Sequence, residues 1–186
     1  DKEDLILISD VDEIPNLEIL NVKNIHQKII LFKQEMFYYK FNLKLPKLIW
    51  AGTKACKMKN LKSPQWLRNI KDKKYPFYRV DTLFSKTKYM NIKLIDNGGW
   101  HFSNLKTPDK IEYKLKSYLH HREFDENPMS KKEINQIIKT KRALYDLTVD
   151  KKVNKIGDGL KLENISLDRL PGYLQDNINN YKEWID

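Results

Sequence analysis

Three carboxylates, Asp10, Asp12 and Glu13, directly follow the apolar run Leu5-Ile6-Leu7-Ile8 and Ser9. Four apolar residues in a row read as a buried strand, and acids crowded at its end must stay solvated or find a cation. A divalent metal relieves that repulsion. Val11 between the two aspartates would send both side chains to one face of a continuing strand. Pro15 should then end the ladder. Such an acidic edge suits the ligand-binding end of an open α/β sheet. The plainer reading of the same residues is a solvated acidic turn.

A second group, Gly98-Gly99-Trp100-His101-Phe102-Ser103, pairs glycines that admit close backbone approach with Trp100, a flat face for a sugar ring. His101 can ligate a metal or move a proton, although a lone histidine after a strand is commonly structural. The third group is Tyr118-Leu119-His120-His121-Arg122-Glu123-Phe124-Asp125. Adjacent histidines point to different sides of a helix, so this reads as a polar helix terminus. Lys114, one turn before Tyr118, would reach an anionic phosphate if that helix lines the cleft.

The elements needed to position these groups follow from periodicity. Residues 5–9 predict a strand and 16–25 a short helix capped by Asn16. Between Ile29 and Leu45 two strands are expected, the second alternating through Phe37, Tyr39, Phe41 and Leu43. Leu48-Ile49-Trp50 opens another strand, broken at Gly52. Ser63-Pro64 starts a short helix, and 92–95 is a strand running into the turn Asp96-Asn97-Gly98-Gly99. Helices are predicted from Thr107 to about His121, from Ser130 to about Tyr145 with a Ser130/Glu133 capping box, and from Leu170 to Trp184. The class is α/β, strand-rich early and helical late, with residues from about 126 forming a helical C-terminal region of a single domain spanning 1–186.

The formal charge of +10 invites a nucleic-acid reading, but only five of the 35 basic residues are arginine. Specific nucleic-acid sites favour the bidentate guanidinium, and lysine, asparagine and isoleucine enrichment fits a biased coding composition better. The densest basic run, Arg68-Asn69-Ile70-Lys71-Asp72-Lys73-Lys74, is the place to look for attraction to a phosphate or an anionic surface. Cys56 is the single cysteine, so neither an intrachain disulfide nor a cysteine zinc site is available. No apolar run approaches the ~20 residues of a membrane span. The chain has no Met at position 1 and enters a strand at once, which predicts the C-terminal part of a longer polypeptide.

Taken together, Ser9-Asp10-Val11-Asp12-Glu13-Ile14-Pro15, Gly99-Trp100-His101, Thr107-Pro108 and Lys114 resemble glycosyltransferase family 17. This is the family of the β-1,4-mannosyl-glycoprotein N-acetylglucosaminyltransferases, with bacterial members, and the resemblance extends to about residue 125. It implies a GT-A-type, Rossmann-like sheet flanked by helices, here without the nucleotide-binding β-α-β portion that normally precedes the Asp-x-Asp strand. It also implies inverting transfer of a sugar, usually N-acetylglucosamine, from a UDP-sugar to a glycan acceptor. Asp10 and Asp12 would contact the donor and, with His101, Mn²⁺ or another divalent cation. Gly99, Trp100 and Lys114 would bind substrate. Inversion requires a base for the acceptor hydroxyl, for which Glu13 and His101 stand first and Asp96 and Glu123 behind them. The animal enzymes work in the Golgi in a cysteine-rich setting. This composition points instead to the cytoplasm, or to the periphery of a membrane, and leaves the acceptor open.

Two other classes share some of these features. A haloacid-dehalogenase-type phosphatase would use Asp10 as nucleophile and Asp12 as acid/base, with Lys155-Ile156-Gly157-Asp158-Gly159 as its later metal loop. Ile14 stands where that family has Thr or Val, and the segment before Gly157 is too polar for the required strand. A non-catalytic binder of RNA or an anionic glycan would draw on the lysine excess and exposed aromatics, and a degenerate transferase would keep the fold without turnover.

Overall fold

Ile29 and Leu31 pack into one cluster of buried side chains while Ile30 and Phe32 pack into another, the two-residue period of an extended chain with both faces covered. The computed structural model describes residues 1–21, 25–117, 125, 128–144 and 159–186. Its strands are β1 (Leu5–Ile8), β2 (Glu13–Pro15), β3 (Ile29–Tyr38), β4 (Leu43–Lys57), β5 (Ile92–Ile95), β6 (Gly99–Ser103) and β7 (Glu163–Asn164). The α-helices among the described residues are α1 (Pro64–Arg68), α2 (Pro108–Ser117), α3 (Lys131–Lys139) and α4 (Gly172–Asp176). The chain is mixed α/β, with a mostly antiparallel seven-stranded sheet ordered β1-β4-β3-β6-β2. β5 runs parallel to β3, and β7 pairs antiparallel with β4.

Two compact units are distinguished. The first comprises Asp1–Glu35 and Ile49–His101. One of its clusters gathers Ile29, Leu31, Cys56, Leu67, Ile70 and Ile92 with Ile8, Trp66 and Tyr89 packed against them. The other gathers Ile30, Phe32, Ala55 and Ile95 with Leu5, Leu7, Leu20 and Ile25. α1 forms where expected: Ser63 accepts from the Trp66 amide at 3.1 Å, and Pro64 occupies the first position.

The second unit comprises Met36–Leu48 and Phe102–Asp186. Ile111 and Leu115 of α2, one turn apart, and Ile134 of α3 join Met36, Tyr38, Leu43, Leu45, Ala143, Leu144 and Leu162 in its core. Full burial of each such side chain is worth about 1.5–3 kcal/mol. The capping box of α3 is present: the Glu133 carboxylate accepts from the Ser130 amide at 2.7 Å while Ser130 Oγ accepts from the Glu133 amide at 3.3 Å.

Several expectations are corrected. β1 is half-buried throughout and lies at an end of the sheet order, so its apolar run does not mark a central strand. Pro15 does end a ladder, as expected, but that of β2, a separate strand at the opposite end of that order, where a missing N–H is tolerated. The described part of 16–25 is not helical but turns at Leu17–Leu20, with the Glu18 amide bound to Asn16 Oδ1. The region 29–45 is one long strand and the start of the next. The change of direction falls at Tyr39, whose φ of 65° breaks the predicted alternation. Gly52 lies inside an unbroken β4. α3 stops at Lys139, ahead of Lys141 with its φ of 52°. The 170–184 segment divides into α4 and a 3₁₀ stretch, Ile178–Trp184. Residues 118–124 and 151–158, with His120, His121, Glu123 and the Gly157-Asp158 pair, lie outside the described residues.

Ile134→Ala empties a fully buried position and is expected to cost about 2–5 kcal/mol in urea unfolding. The Glu133 carboxyl is held below the usual glutamate range, first by the Ser130 amide and then by its hydroxyl. A lowered folded value contributes stability above the unfolded pKa and loses it as pH falls through the folded one. Glu133→Gln should therefore melt below the parent at neutral pH, and the gap should close in acid.

Candidate functional site

The first unit builds its polar centre on a turn rather than on a strand. Asp10 to Glu13 closes through the Glu13 amide donating to Asp10 O at 3.0 Å, so strand alternation does not govern Asp10 and Asp12. The two diverge. Asp10 receives the Arg68 guanidinium end-on, with Nη1 at 2.6 Å from Oδ1 and Nη2 at 2.9 Å from Oδ2. Asp12 Oδ2 lies 3.4 Å from His101 Nε2.

Glu13 is the buried member of the trio, at 8% exposure. Its Oε1 accepts from Trp50 Nε1 at 2.7 Å and its Oε2 from the Asp10 amide at 3.0 Å, two hydrogen bonds that offset the loss of water. The β2–β6 register sets Glu13 directly opposite His101, and the Trp50 ring lies 5.3 Å from the imidazole, tilted by 55°. Nε2 of His101 faces Asp12, while its Nδ1 is buried with no hydrogen-bond partner among the described residues. Beneath this group, Ser9 Oγ donates to Glu13 O at 2.8 Å and lies 2.7 Å from Thr53 Oγ1. Gln34, fully buried, accepts from the Thr53 amide and donates to its hydroxyl, both at 3.3 Å.

Gly52 makes this network possible. A Cβ there would sit 1.9 Å from Gln34 Oε1 and 2.8 Å from Glu13 Cδ. A glycine inside a strand signals such a close approach. That signal was present in the sequence, where Gly52 reads instead as a strand break. Trp50 and Gln34 also act here, and no motif marks them for it; Arg68 opens the basic run that the sequence offers for a phosphate.

A cavity of about 140 Å³ is lined by Ser9, Asp10, Glu13, Trp50, Gly52 and Lys54 among others. A larger open cleft of about 470 Å³ shares Lys54 and Arg68 with it and adds Asn69, Lys71, Asp72 and Thr87. That volume falls within the roughly 300–1,000 Å³ of small-molecule sites. Lys54 Nζ donates to the carbonyls of Arg68 and Ile70 at 2.6 and 2.7 Å. Burial lowers its pKa, opposed by the nearby charges of Asp72 and Glu13.

The remaining sequence-selected residues have local roles. Gly99 adopts a φ of 128°, and a Cβ would meet Ile14 O at 2.1 Å, so its glycine identity serves the β2–β6 approach. Trp100 pairs across the sheet with Ile14 and is half-buried. Asp96 accepts from Lys33 Nζ at 2.7 Å, which lowers its pKa. Lys114, in the second unit, donates to Asn104 Oδ1 at 2.8 Å.

Among the described residues no three His, Cys, Asp or Glu side chains form a metal-binding group. Asp12 and His101 still supply the one or two protein ligands that suffice when phosphate oxygens and water complete a metal's shell. Compared with known proteins, the chain matches no family model, no curated protein and no solved structure.

Trp50→Phe keeps the ring against His101 but removes the donor to Glu13; a loss of about 1.5–3 kcal/mol in denaturant unfolding is expected for a hydrogen bond to a charged group. Gly52→Ala forces Gln34 or Glu13 aside and should cost about 1–3 kcal/mol by the same measurement.

Proposed function

We propose that this chain carries the reaction centre of a metal-dependent inverting glycosyltransferase of the family 17, GT-A type. It would move a sugar, N-acetylglucosamine first among the candidates, from a UDP-sugar to a glycan acceptor. The observation that supports this reading most is the cross-strand meeting of the two motifs. Glu13 stands opposite His101, and Asp12 lies beside it, although they come from segments far apart in the chain.

The roles divide by position. Asp12 and His101 would hold Mn²⁺, which when bound offsets the charge that builds on the departing diphosphate. Arg68, Lys54 and Lys71 line a cleft of nucleotide size, and a guanidinium grips phosphate oxygens as it grips a carboxylate. Asp10 is tied to Arg68 by a largely solvated ion pair, a class of contact worth only about 0–1 kcal/mol. A phosphate can therefore take Arg68 and release Asp10 toward the metal at little cost. Glu13 borders the smaller cavity and retains acceptor capacity beyond its two hydrogen bonds, so it is the base placed to take the acceptor hydroxyl proton. His101 Nε2 lies 3.4 Å from Asp12 Oδ2, close enough for the two to share one cation.

Calorimetric titration of UDP-N-acetylglucosamine is expected to show binding with Mn²⁺ and none without it. Asp12→Ala should abolish the metal-dependent component with circular dichroism unchanged, and Mn²⁺-dependent binding retained in that variant would remove Asp12 from the site. Arg68→Ala should weaken the nucleotide yet tighten Mn²⁺ alone, because Asp10 is then released.

A further inference from the structure

The segment between α1 and β5 places more apolar surface in water than any other stretch of the described residues. Phe77, Tyr78, Val80, Leu83 and Phe84 are 63–90% exposed within eight consecutive positions. Isolated exposed apolar residues need no explanation, but a contiguous group of this kind marks a contact surface.

The loop carrying them is tied at its neck and satisfied within. The Lys71 amide donates to Thr87 O at 2.9 Å, and Trp66 Nε1 donates to Lys86 O at 3.0 Å while its ring meets Tyr89 edge-on. Inside the loop, Asp81 accepts from Arg79 Nε and Nη2 at 2.6 and 2.8 Å and from Lys88 Nζ at 2.8 Å. Thr82, buried, donates its hydroxyl to Arg79 O at 2.7 Å, and Ser85 Oγ accepts from the Thr87 and Lys88 amides. The polar groups of the loop are thus satisfied by one another, while its large apolar side chains stand in water.

Charge identifies the occupant. Residues 71–88 carry Lys71, Lys73, Lys74, Arg79, Lys86 and Lys88 against only Asp72 and Asp81, and Asp81 is already matched by two cations. Lysine is depleted at protein–protein interfaces, whereas anionic headgroups attract it, and Phe and Tyr suit the headgroup–acyl boundary. We propose that this loop docks the protein on an anionic bilayer surface. Phe77 and Phe84 enter the boundary region, and Lys73, Lys74 and Lys86 meet the lipid phosphates. The inference is independent of the proposed transferase chemistry.

Flotation with phosphatidylcholine vesicles, with and without phosphatidylglycerol, tests it. The protein should partition roughly 10-fold or more in favour of the phosphatidylglycerol vesicles, and raised salt should reduce binding. The double substitution Phe77→Ser, Phe84→Ser changes two exposed positions, so the thermal melt should be unchanged while vesicle binding falls at least several-fold. Lys73→Glu with Lys74→Glu should erase the preference for anionic lipid. Failure to float with anionic vesicles would overturn the proposal, as would undiminished binding of the double serine variant. Self-association in sedimentation velocity that the serine variant abolishes, without vesicle binding, would assign the surface to a second copy of the chain instead.

Discussion

A carboxylate held out of water needs donors arranged for it, and much of the first unit's polar architecture answers that need at Glu13. Trp50 Nε1 and the Asp10 amide serve its two oxygens, and Ser9 holds its carbonyl. Room for the side chain exists because position 52 lacks a Cβ, and the β2–β6 ladder fixes which residue it faces. Removing any of these would leave a buried charge less well satisfied, which costs far more than an exposed ion pair returns. The contrast with Asp10 follows from the same rule. Its partner Arg68 is solvated, so that contact is exchangeable where the Glu13 contacts are not.

This difference in exchangeability gives the acidic trio three distinct chemistries. Asp10 is a solvated carboxylate neutralised by a guanidinium, Asp12 lies beside an imidazole, and Glu13 is enclosed at a cavity wall. In the proposed reading Asp10 would yield Arg68 to a phosphate, Asp12 would ligate a metal and Glu13 would take a proton. The proposed transferase reading uses that division. Its strength lies in the meeting of two motifs across one strand pair rather than in any motif alone.

Parts of the fold were legible because their causes are local. Ser63 and Pro64 start α1, Ser130 and Glu133 start α3, and Asn97, with its φ of 52°, sits at the predicted turn after β5. Each depends on hydrogen bonds or dihedral limits within a few residues. The apolar run of β1 misled because four apolar side chains describe a strand without saying which strand lies beside it. Burial is decided by neighbours, and among the described residues β1 has one strand neighbour, β4. Gly52 misled for the reason that makes it informative. Its small size serves Gln34 and Glu13, which lie elsewhere in the sequence, and only their arrival turns an apparent break into continuous strand.

The sequence by itself determined the mixed α/β class, the starts of α1, α2 and α3, the two chemically loaded segments around Asp12 and His101, and the shortage of acid among residues 71–88. These rest on residue type, short spacing and local capping. Only the tertiary structure decided that Asp10 turns to Arg68 and Asp12 to His101, that Trp50 supplies the donor to Glu13, and that Phe77 and Phe84 remain in water. Hydrogen bonding, ion pairing and burial are properties of pairs brought together from distant positions. No local pattern encodes which distant partner arrives, so those assignments came into view only once the strands were paired.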